Sequence, residues 1–157
     1  MMDYSIEKMH EGHIPGLVEI EKECFSRPWT FEGFQAELDN DCAHFYAAVD
    51  RGKPIGYIGV HAVLDEGYMD NLAVLTEYRR RGIAAALLQY ALDRCKELDL
   101  AFLSLEVRKS NGAAISLYEK YGFKKVGERK HFYTAPTEDA YIMTVYFNDS
   151  EDKCNAG

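Results

Sequence analysis

The sequence predicts an α/β fold in which helices cover the faces of a single mixed sheet. Segments of alternating polarity, typical of strands, are interspersed with segments of 3.6-residue apolar period, typical of helices. In the middle of the chain one helical segment joins two strands, and such a crossover predicts that these two strands run parallel. The 157 residues, of which 47% are hydrophobic, suffice for one domain with its own core.

The amino-terminal half predicts two helices followed by a β-hairpin. Pro15 is tolerated in the first turn of a helix, whereas Pro28 disfavours helix because it restricts the residue before it to an extended conformation. Thr30 is expected to cap the second helix with its hydroxyl oxygen. The segment 50–53 has the composition of a hairpin turn. The predicted elements of this half are a strand at 4–9, helices at 13–25 and from 31, and strands at 44–49 and 55–63.

The central stretch, residues 67–88, carries the strongest functional signal. A strand runs into the basic turn 79–84, which reads Arg-Arg-Arg-Gly-Ile-Ala, and then into an amphipathic helix. The first N–H groups of a helix lack partners and carry positive potential, so they bind anions well. Gly82 lets a ligand approach the backbone closely, and the arginines add positive charge. The turn therefore predicts a phosphate site, with a solvated basic loop as the alternative.

The carboxyl-terminal half predicts a strand, a helix and two further strands. The strand at 101–107 is almost continuously apolar, which predicts burial on both of its faces. Ser110 and Asn111 open the helix, and Gly122 ends it. The last strands are expected at 123–130 and 141–147. We therefore place a domain at 1–147 and a polar tail, expected to be frayed, at 148–157.

Composition excludes several classes of function. The formal net charge of −8 disfavours nucleic-acid binding and suits a basic partner. We expect no membrane segment and a cytoplasmic location, because the chain has neither a long apolar run nor a signal-peptide pattern. The four cysteines lack C-x-x-C spacing, and the five histidines lack metal-ligand spacing, so reduced thiols and no metal are expected.

Several motifs together resemble one enzyme superfamily. They are the R-x-x-G-x-A turn, the Pro28-Trp29 pair, Leu-Glu-Val-Arg at 105–108, Ser-Asn at 110–111, Leu-Tyr-Glu at 117–119 and Gly-Phe at 122–123. With them the chain resembles the GCN5-related N-acetyltransferases (GNAT), and most closely their RimI-type branch of ribosomal-protein-alanine N-acetyltransferases. The resemblance covers nearly the whole chain. It implies a largely antiparallel sheet of about seven strands flanked by about four helices.

The resemblance implies acetyl-CoA as the cosubstrate. Its pantetheine arm would contact the backbone of the central strand, and its pyrophosphate would lie on the amides of the basic turn. The implied binding residues are Leu72, Ala73, Val74, Arg79, Arg80, Arg81, Gly82, Ile83, Ala84, Ala85 and Asn111.

The resemblance also assigns the catalytic residues. Glu106 would remove a proton from the attacking amine, and Tyr118 would protonate the departing thiolate. The alternatives are a solvated carboxylate at a strand end and an aromatic ring packed on a helix face. Trp29 and Tyr133 would line the acceptor pocket, or else pack in the core or at the rim. Cys24 is expected to have a packing role, since no histidine is placed to activate it.

Three functions remain open at this point. The first is acetylation of a protein N-terminus, with a basic ribosomal protein as the implied partner, by a monomer or weak dimer. The second is acetylation of a small-molecule amine. The third is a non-catalytic module that binds coenzyme A or a peptide, which the presence of both Glu106 and Tyr118 disfavours.

Overall fold

The computed structural model describes residues 3–147, so Met1, Met2 and the predicted polar tail at 148–157 lie outside the described residues. Within them the chain forms seven strands, four α-helices and two short 3₁₀ turns, Glu11–His13 and Thr76–Tyr78. In chain order, the elements are β1 (Ser5–Lys8), α1 (Ile14–Cys24), α2 (Phe31–Leu38), β2 (Ala43–Asp50), β3 (Lys53–Val63), β4 (Glu66–Val74), α3 (Ile83–Glu97), β5 (Phe102–Arg108), α4 (Gly112–Lys120), β6 (Lys124–Tyr133) and β7 (Glu138–Tyr146).

The strands form one mixed sheet in the order β1-β2-β3-β4-β5-β7-β6. β4 and β5 are parallel, with Glu66 opposite Phe102 and Tyr68 opposite Ser104. The pairs β1–β2, β2–β3, β5–β7 and β6–β7 are antiparallel. The predicted fold class and the parallel crossover through α3 are therefore confirmed. No helix within residues 3–147 has the length and apolar character needed to cross a membrane.

The chain divides into two compact units, and their described residues are 3–62 with 70–94 and 63–69 with 95–147. In the first unit, α1, α2, β3 and the amino-terminal part of α3 bury their apolar side chains. Phe34 contacts Tyr57 and Phe45 edge-on, with ring centroids 5.4 and 6.4 Å apart. The second unit buries Leu103, Phe123 and Met143.

Local signals place most element boundaries where the sequence predicts them. The Thr30 hydroxyl accepts a hydrogen bond from the Gly33 N–H at 3.1 Å, as expected of a helix cap. Arg51 and Gly52 both have positive φ values, 52° and 80°, as a tight hairpin turn requires. The buried stripe of α3 includes Ile83, Leu87 and Ala91.

Two expectations about strands are wrong. Along β5 burial alternates, because Glu106 and its neighbours on the same face are only partly covered. β6 continues to Tyr133 rather than ending at 130, and β7 begins at Glu138 rather than at 141. A register shift after Arg129 allows the ladder to resume where Tyr133 pairs with Glu138. This shift depends on the partner strand, so local periodicity does not reveal it.

Candidate active site

The basic turn before α3 has the backbone geometry of an anion site. Gly82 has φ +80°, and a Cβ placed on it would meet no atom within 4 Å. The first hydrogen bond of α3 runs from the Ala86 N–H to the Gly82 carbonyl, at 3.0 Å. The N–H groups of residues 83–85 therefore precede the first intrahelical bond and have no acceptor within the helix. An open backbone with unpaired donors fits a phosphate group.

The three arginines of this turn have different surroundings. The Arg79 Nε donates to the Val74 carbonyl at 3.0 Å, and its Nη2 lies 3.3 Å from the Cys24 thiol. The Arg81 guanidinium lies 5.4 Å from the centroid of the Tyr78 ring. Arg80 is exposed and has a positive φ of 66°. Arg79 thus anchors the turn to β4, whereas Arg80 and Arg81 are both exposed beside it.

The end of α1 is joined to the end of β4. The Cys24 thiol lies 3.5 Å from the Val74 carbonyl, which also receives the bond from Arg79. Burial raises the pKa of Cys24, so this thiol stays protonated and packs rather than attacks. Because the Val74 carbonyl already accepts bonds from this chain, pantetheine contacts would fall on other backbone groups of β4. The assignment of Leu72, Ala73 and Val74 to pantetheine stays a prediction.

Trp29 lies in the connection between α1 and α2 and is partly buried. Its ring packs against Phe34 and Phe45, with centroid distances of 5.2 and 5.7 Å. Its backbone N–H donates to the Glu21 side chain at 2.8 Å. Sequence reasoning did not single out Glu21 as functional. The sequence did contain a signal for this residue, because Glu21 lies on the apolar stripe of α1, where an ionisable side chain is unusual.

In the second unit, β5 presents Glu106 on its partly covered face. The side chain is 28% exposed, and its Oε2 accepts a hydrogen bond from the Arg129 Nε at 3.0 Å. Arg129 is itself 55% exposed. Its pairing with Glu106 was not predicted, because it depends on the order of β5, β7 and β6 in the sheet. The ion pair orients one carboxylate oxygen and leaves the group accessible.

Tyr118 occupies the buried side of α4 and is 7% exposed. Its hydroxyl lies 3.9 Å from the Met69 sulfur, and its ring lies 5.5 Å from that of Phe123. Burial, assisted by the nearby Tyr133 hydroxyl, raises the pKa of Tyr118 well above its usual value. The residue therefore keeps its proton at neutral pH, as a proton donor must.

Tyr133 links the end of β6 to the Glu106 backbone. Its hydroxyl donates to the Glu106 carbonyl oxygen at 3.1 Å, and the Arg108 guanidinium covers its ring at 4.4 Å. Burial raises the pKa of Tyr133 to about 12. The second unit thus brings together Glu106, Tyr118 and Tyr133, three of the residues singled out from the sequence.

Asn111 serves as the N-cap of α4. Its Oδ1 accepts a hydrogen bond from the Ala114 N–H at 3.1 Å. The predicted contact of Asn111 with the cosubstrate stays a prediction.

One histidine cluster was not foreseen. Within residues 3–147, Glu7, His10 and His13 place potential metal-ligand atoms within 4.8 Å of one another. The His10 Nδ1 accepts from the Gly12 N–H, and the His13 Nδ1 accepts from the His10 N–H. Both Nδ1 atoms are thereby bonded to backbone N–H groups, and the His13 Nε2 lies 3.3 Å from the Glu7 Oε1. The cluster is best explained as the cap of the turn that leads into α1.

Comparisons with known proteins place the chain in a family. Residues 14–123 match the model of the Acetyltransferase (GNAT) family. A Bacillus subtilis (strain 168) protein, provisionally named a ribosomal protein bS18-alanine N-acetyltransferase, is 39% identical over 146 residues, which are 92% of this chain and 97% of that protein. The crystal structure of the Escherichia coli ribosomal-protein-S18-alanine N-acetyltransferase has a TM-score of 0.84 and 33% identity, and the match covers 92% of this chain and 94% of that one.

A more distant structure has the same fold. Arabidopsis thaliana NAA60, in complex with acetyl-CoA, has a TM-score of 0.86 at 23% identity, and the match covers 93% of this chain and 99% of that one. The family match, the two close relatives and the sheet order agree with the resemblance in the sequence. This chain belongs to the GNAT acetyltransferase family and is an N-acetyltransferase.

Proposed function

We propose that this enzyme transfers the acetyl group of acetyl-CoA to the α-amine of a protein N-terminus, in the manner of the RimI-type enzymes. The observation that carries the proposal is the grouping of a partly exposed carboxylate and a buried tyrosine around Tyr133. Support for the acceptor comes from the names of the relatives, which specify the alanine of ribosomal protein bS18.

Glu106 is the proposed base for the acceptor amine. An α-amine has a pKa near 8, so a carboxylate can remove its single extra proton near neutral pH. Oε2 of Glu106 already accepts a hydrogen bond from Arg129, so we propose that Oε1 takes the proton from the acceptor amine. The Tyr133 hydroxyl fixes the carbonyl of the same residue, which limits movement of the base.

Tyr118 is the proposed acid for the leaving thiolate. Its raised pKa keeps the hydroxyl protonated, and its position in the buried face of α4 limits competition from water. The nearby Met69 sulfur is a weak acceptor, so this contact leaves the proton available for transfer.

Acetyl-CoA, as the proposed cosubstrate, supplies an activated thioester. The residues that would hold it are the unpaired amides after Gly82 and the exposed Arg80 and Arg81. Their open backbone and positive potential match a pyrophosphate, and a relative with the same fold is known in complex with acetyl-CoA. No metal is assigned a role in this mechanism.

A basic polypeptide is the proposed acceptor. The chain carries 26 acidic and 18 basic residues, so it attracts positively charged peptides at low ionic strength. Ribosomal proteins are the partners that the relatives' names indicate.

A direct test uses a peptide that begins Ala-Arg and contains an internal lysine. Release of thiol from acetyl-CoA reports turnover, and tandem mass spectrometry locates the acetyl group. The same peptide with a blocked N-terminus and a panel of small amines serve as controls. We expect acetylation only at the free α-amine. Turnover confined to small amines, or modification of the lysine alone, would refute the proposed acceptor.

A further inference from the structure

Glu21 is a buried carboxylate to which the proposed chemistry assigns no role. It is 0% exposed, although it lies in an otherwise apolar part of α1. Ionisable side chains are rarely buried to this extent unless their polar atoms are paired.

Three donors from three segments of the first unit converge on this carboxylate. The Trp29 N–H donates to Oε1 at 2.8 Å, and the Asn71 Nδ2 donates to Oε2 at 3.0 Å. The Tyr57 hydroxyl also donates to Oε2, and it accepts from the Asn71 Nδ2 at 3.1 Å. Burial and the Glu21 charge raise the pKa of Tyr57, so its hydroxyl remains a donor.

The site therefore requires a group that only accepts hydrogen bonds. A carboxylate meets this requirement, whereas a glutamine of the same size would point an amide N–H₂ at one of the donors. At least one buried donor would then lose its partner.

The bond to Trp29 fixes the backbone of a segment whose other support is the packing of the Trp29 ring on Phe34 and Phe45. The connection between α1 and α2, residues 25–30, contains no regular secondary structure. At its start the Phe25 N–H bonds to the Glu21 carbonyl, and at its end the Thr30 carbonyl accepts from Phe34. Between them, the Glu21 carboxylate holds the backbone at Trp29. In contrast, Asn71 belongs to β4, whose backbone is already fixed by the sheet.

We infer that Glu21 is a positioning residue for the acceptor, which it serves by holding the Trp29 backbone where the acceptor peptide binds. The inference rests on the proposed function and on the resemblance in the sequence, by which Trp29 would line the acceptor pocket. We expect little effect on the cosubstrate, because within residues 3–147 the hydrogen bonds that Glu21 makes outside α1 go to Phe25, Trp29, Tyr57 and Asn71 and not to the basic turn or to residues 72–74.

The test compares three substitutions. Because the amide oxygen of a glutamine could still accept from Trp29, the test variant is Glu21→Leu, which keeps the approximate size of the side chain and removes both acceptor oxygens. Tyr57→Phe removes one donor and leaves the bond between Trp29 and Glu21 intact. An Ile20 substitution, to Val or Ala, is chosen to match the thermal midpoint of Glu21→Leu, because Ile20 is fully buried in the same helix and outside the network.

Kinetics supply the first readout. For Glu21→Leu we expect the KM for the Ala-Arg peptide to rise about tenfold, the equivalent of one lost hydrogen bond, with the KM for acetyl-CoA nearly unchanged. The Tyr57 and Ile20 variants should keep both KM values close to those of the wild type. An equal rise of the peptide KM in all three variants would show a general effect of stability and would overturn the inference.

Fluorescence supplies a readout that does not depend on activity. Trp29 is the only tryptophan of the chain, so its emission reports on this segment alone. We expect red-shifted emission and stronger acrylamide quenching in folded Glu21→Leu, and wild-type behaviour in the two controls. Unchanged emission and quenching in Glu21→Leu would overturn the inference. A wild-type enzyme that does not acetylate the peptide would instead refute the proposed function, and the fluorescence would still decide whether Glu21 holds Trp29.

Discussion

Replacement of Gly82 by valine tests the basic turn as the pyrophosphate site. The substitution has two separable effects, because Gly82 has a left-handed backbone and faces open space. The backbone effect lowers stability, and the new side chain obstructs any ligand at the turn. Gly52 offers a matched control, since it also has φ +80° and a Cβ added there would likewise meet no atom within 4 Å.

The stability effect should be similar at the two glycines. A left-handed conformation costs a residue with a Cβ about 1–2 kcal/mol. For a chain of this size, that loss lowers the thermal midpoint by about 2–8 °C. We therefore expect Gly82→Val and Gly52→Val to remain folded and to melt at comparable temperatures.

Only Gly82→Val should weaken coenzyme A binding. A hydrogen bond to a charged group contributes about 1.5–3 kcal/mol, so the loss of one amide contact to the pyrophosphate should raise Kd about 10- to 100-fold. Isothermal titration calorimetry with coenzyme A measures Kd directly, and differential scanning fluorimetry measures the midpoints. An unchanged Kd in folded Gly82→Val, or an equal loss in Gly52→Val, would refute the assignment of the phosphate to this turn.

Three further predictions concern single side chains. Tyr118→Phe keeps the ring in place and removes the proposed proton donor, so the rate in single-turnover assays should fall about 10²- to 10⁴-fold with the acetyl-CoA KM unchanged. A rate close to that of the wild type would make Tyr118 a packing residue. The acetylation rate of Glu106→Gln should be low near pH 7 and should recover as the pH rises through the amine pKa near 8, because the acceptor then binds already deprotonated and needs no base. Equal pH–rate profiles for mutant and wild type would exclude Glu106 as the base. Burial is the largest influence on the pKa of His61 and lowers it, but hydrogen bonds and charge from Glu37 and Asp70 together raise that pKa above its usual value. The stability that protonated His61 adds is therefore complete below its unfolded pKa near 6.5 and is lost as the pH rises through its folded pKa. The free energy of unfolding that His61→Gln loses relative to the wild type, measured by urea denaturation, should therefore become smaller as the pH rises. A loss that does not depend on pH would contradict this prediction.

Local sequence signals predicted most of the fold. The cap at Thr30 and the turn at 50–53 depend on a few adjacent residues, and both were placed correctly. The parallel pairing of β4 and β5 was also predictable, because the handedness and length of the α3 crossover leave few alternatives.

Contacts between distant segments could not be predicted in the same way. The ion pair between Arg129 and Glu106 requires the strand order and the register of β6, neither of which is encoded locally. The Glu21 network likewise joins residues up to 50 positions apart. The resemblance to the GNAT family supplied the roles of Glu106 and Tyr118. Periodicity alone favoured simple packing for Tyr118, and its burial agrees with both interpretations.

The protonated thiol of Cys24 has a consequence for the fate of the acetyl group. Cys24 contacts Arg79 and the end of β4, the strand proposed to bind the pantetheine arm. A thiolate beside a thioester would exchange with it and leave the acetyl group bound to the protein. Burial raises the pKa of Cys24, and it raises that of Cys95 to about 11. With acetyl-CoA bound along β4 as proposed, the protonated Cys24 thiol would compete poorly with the acceptor amine for the acetyl group.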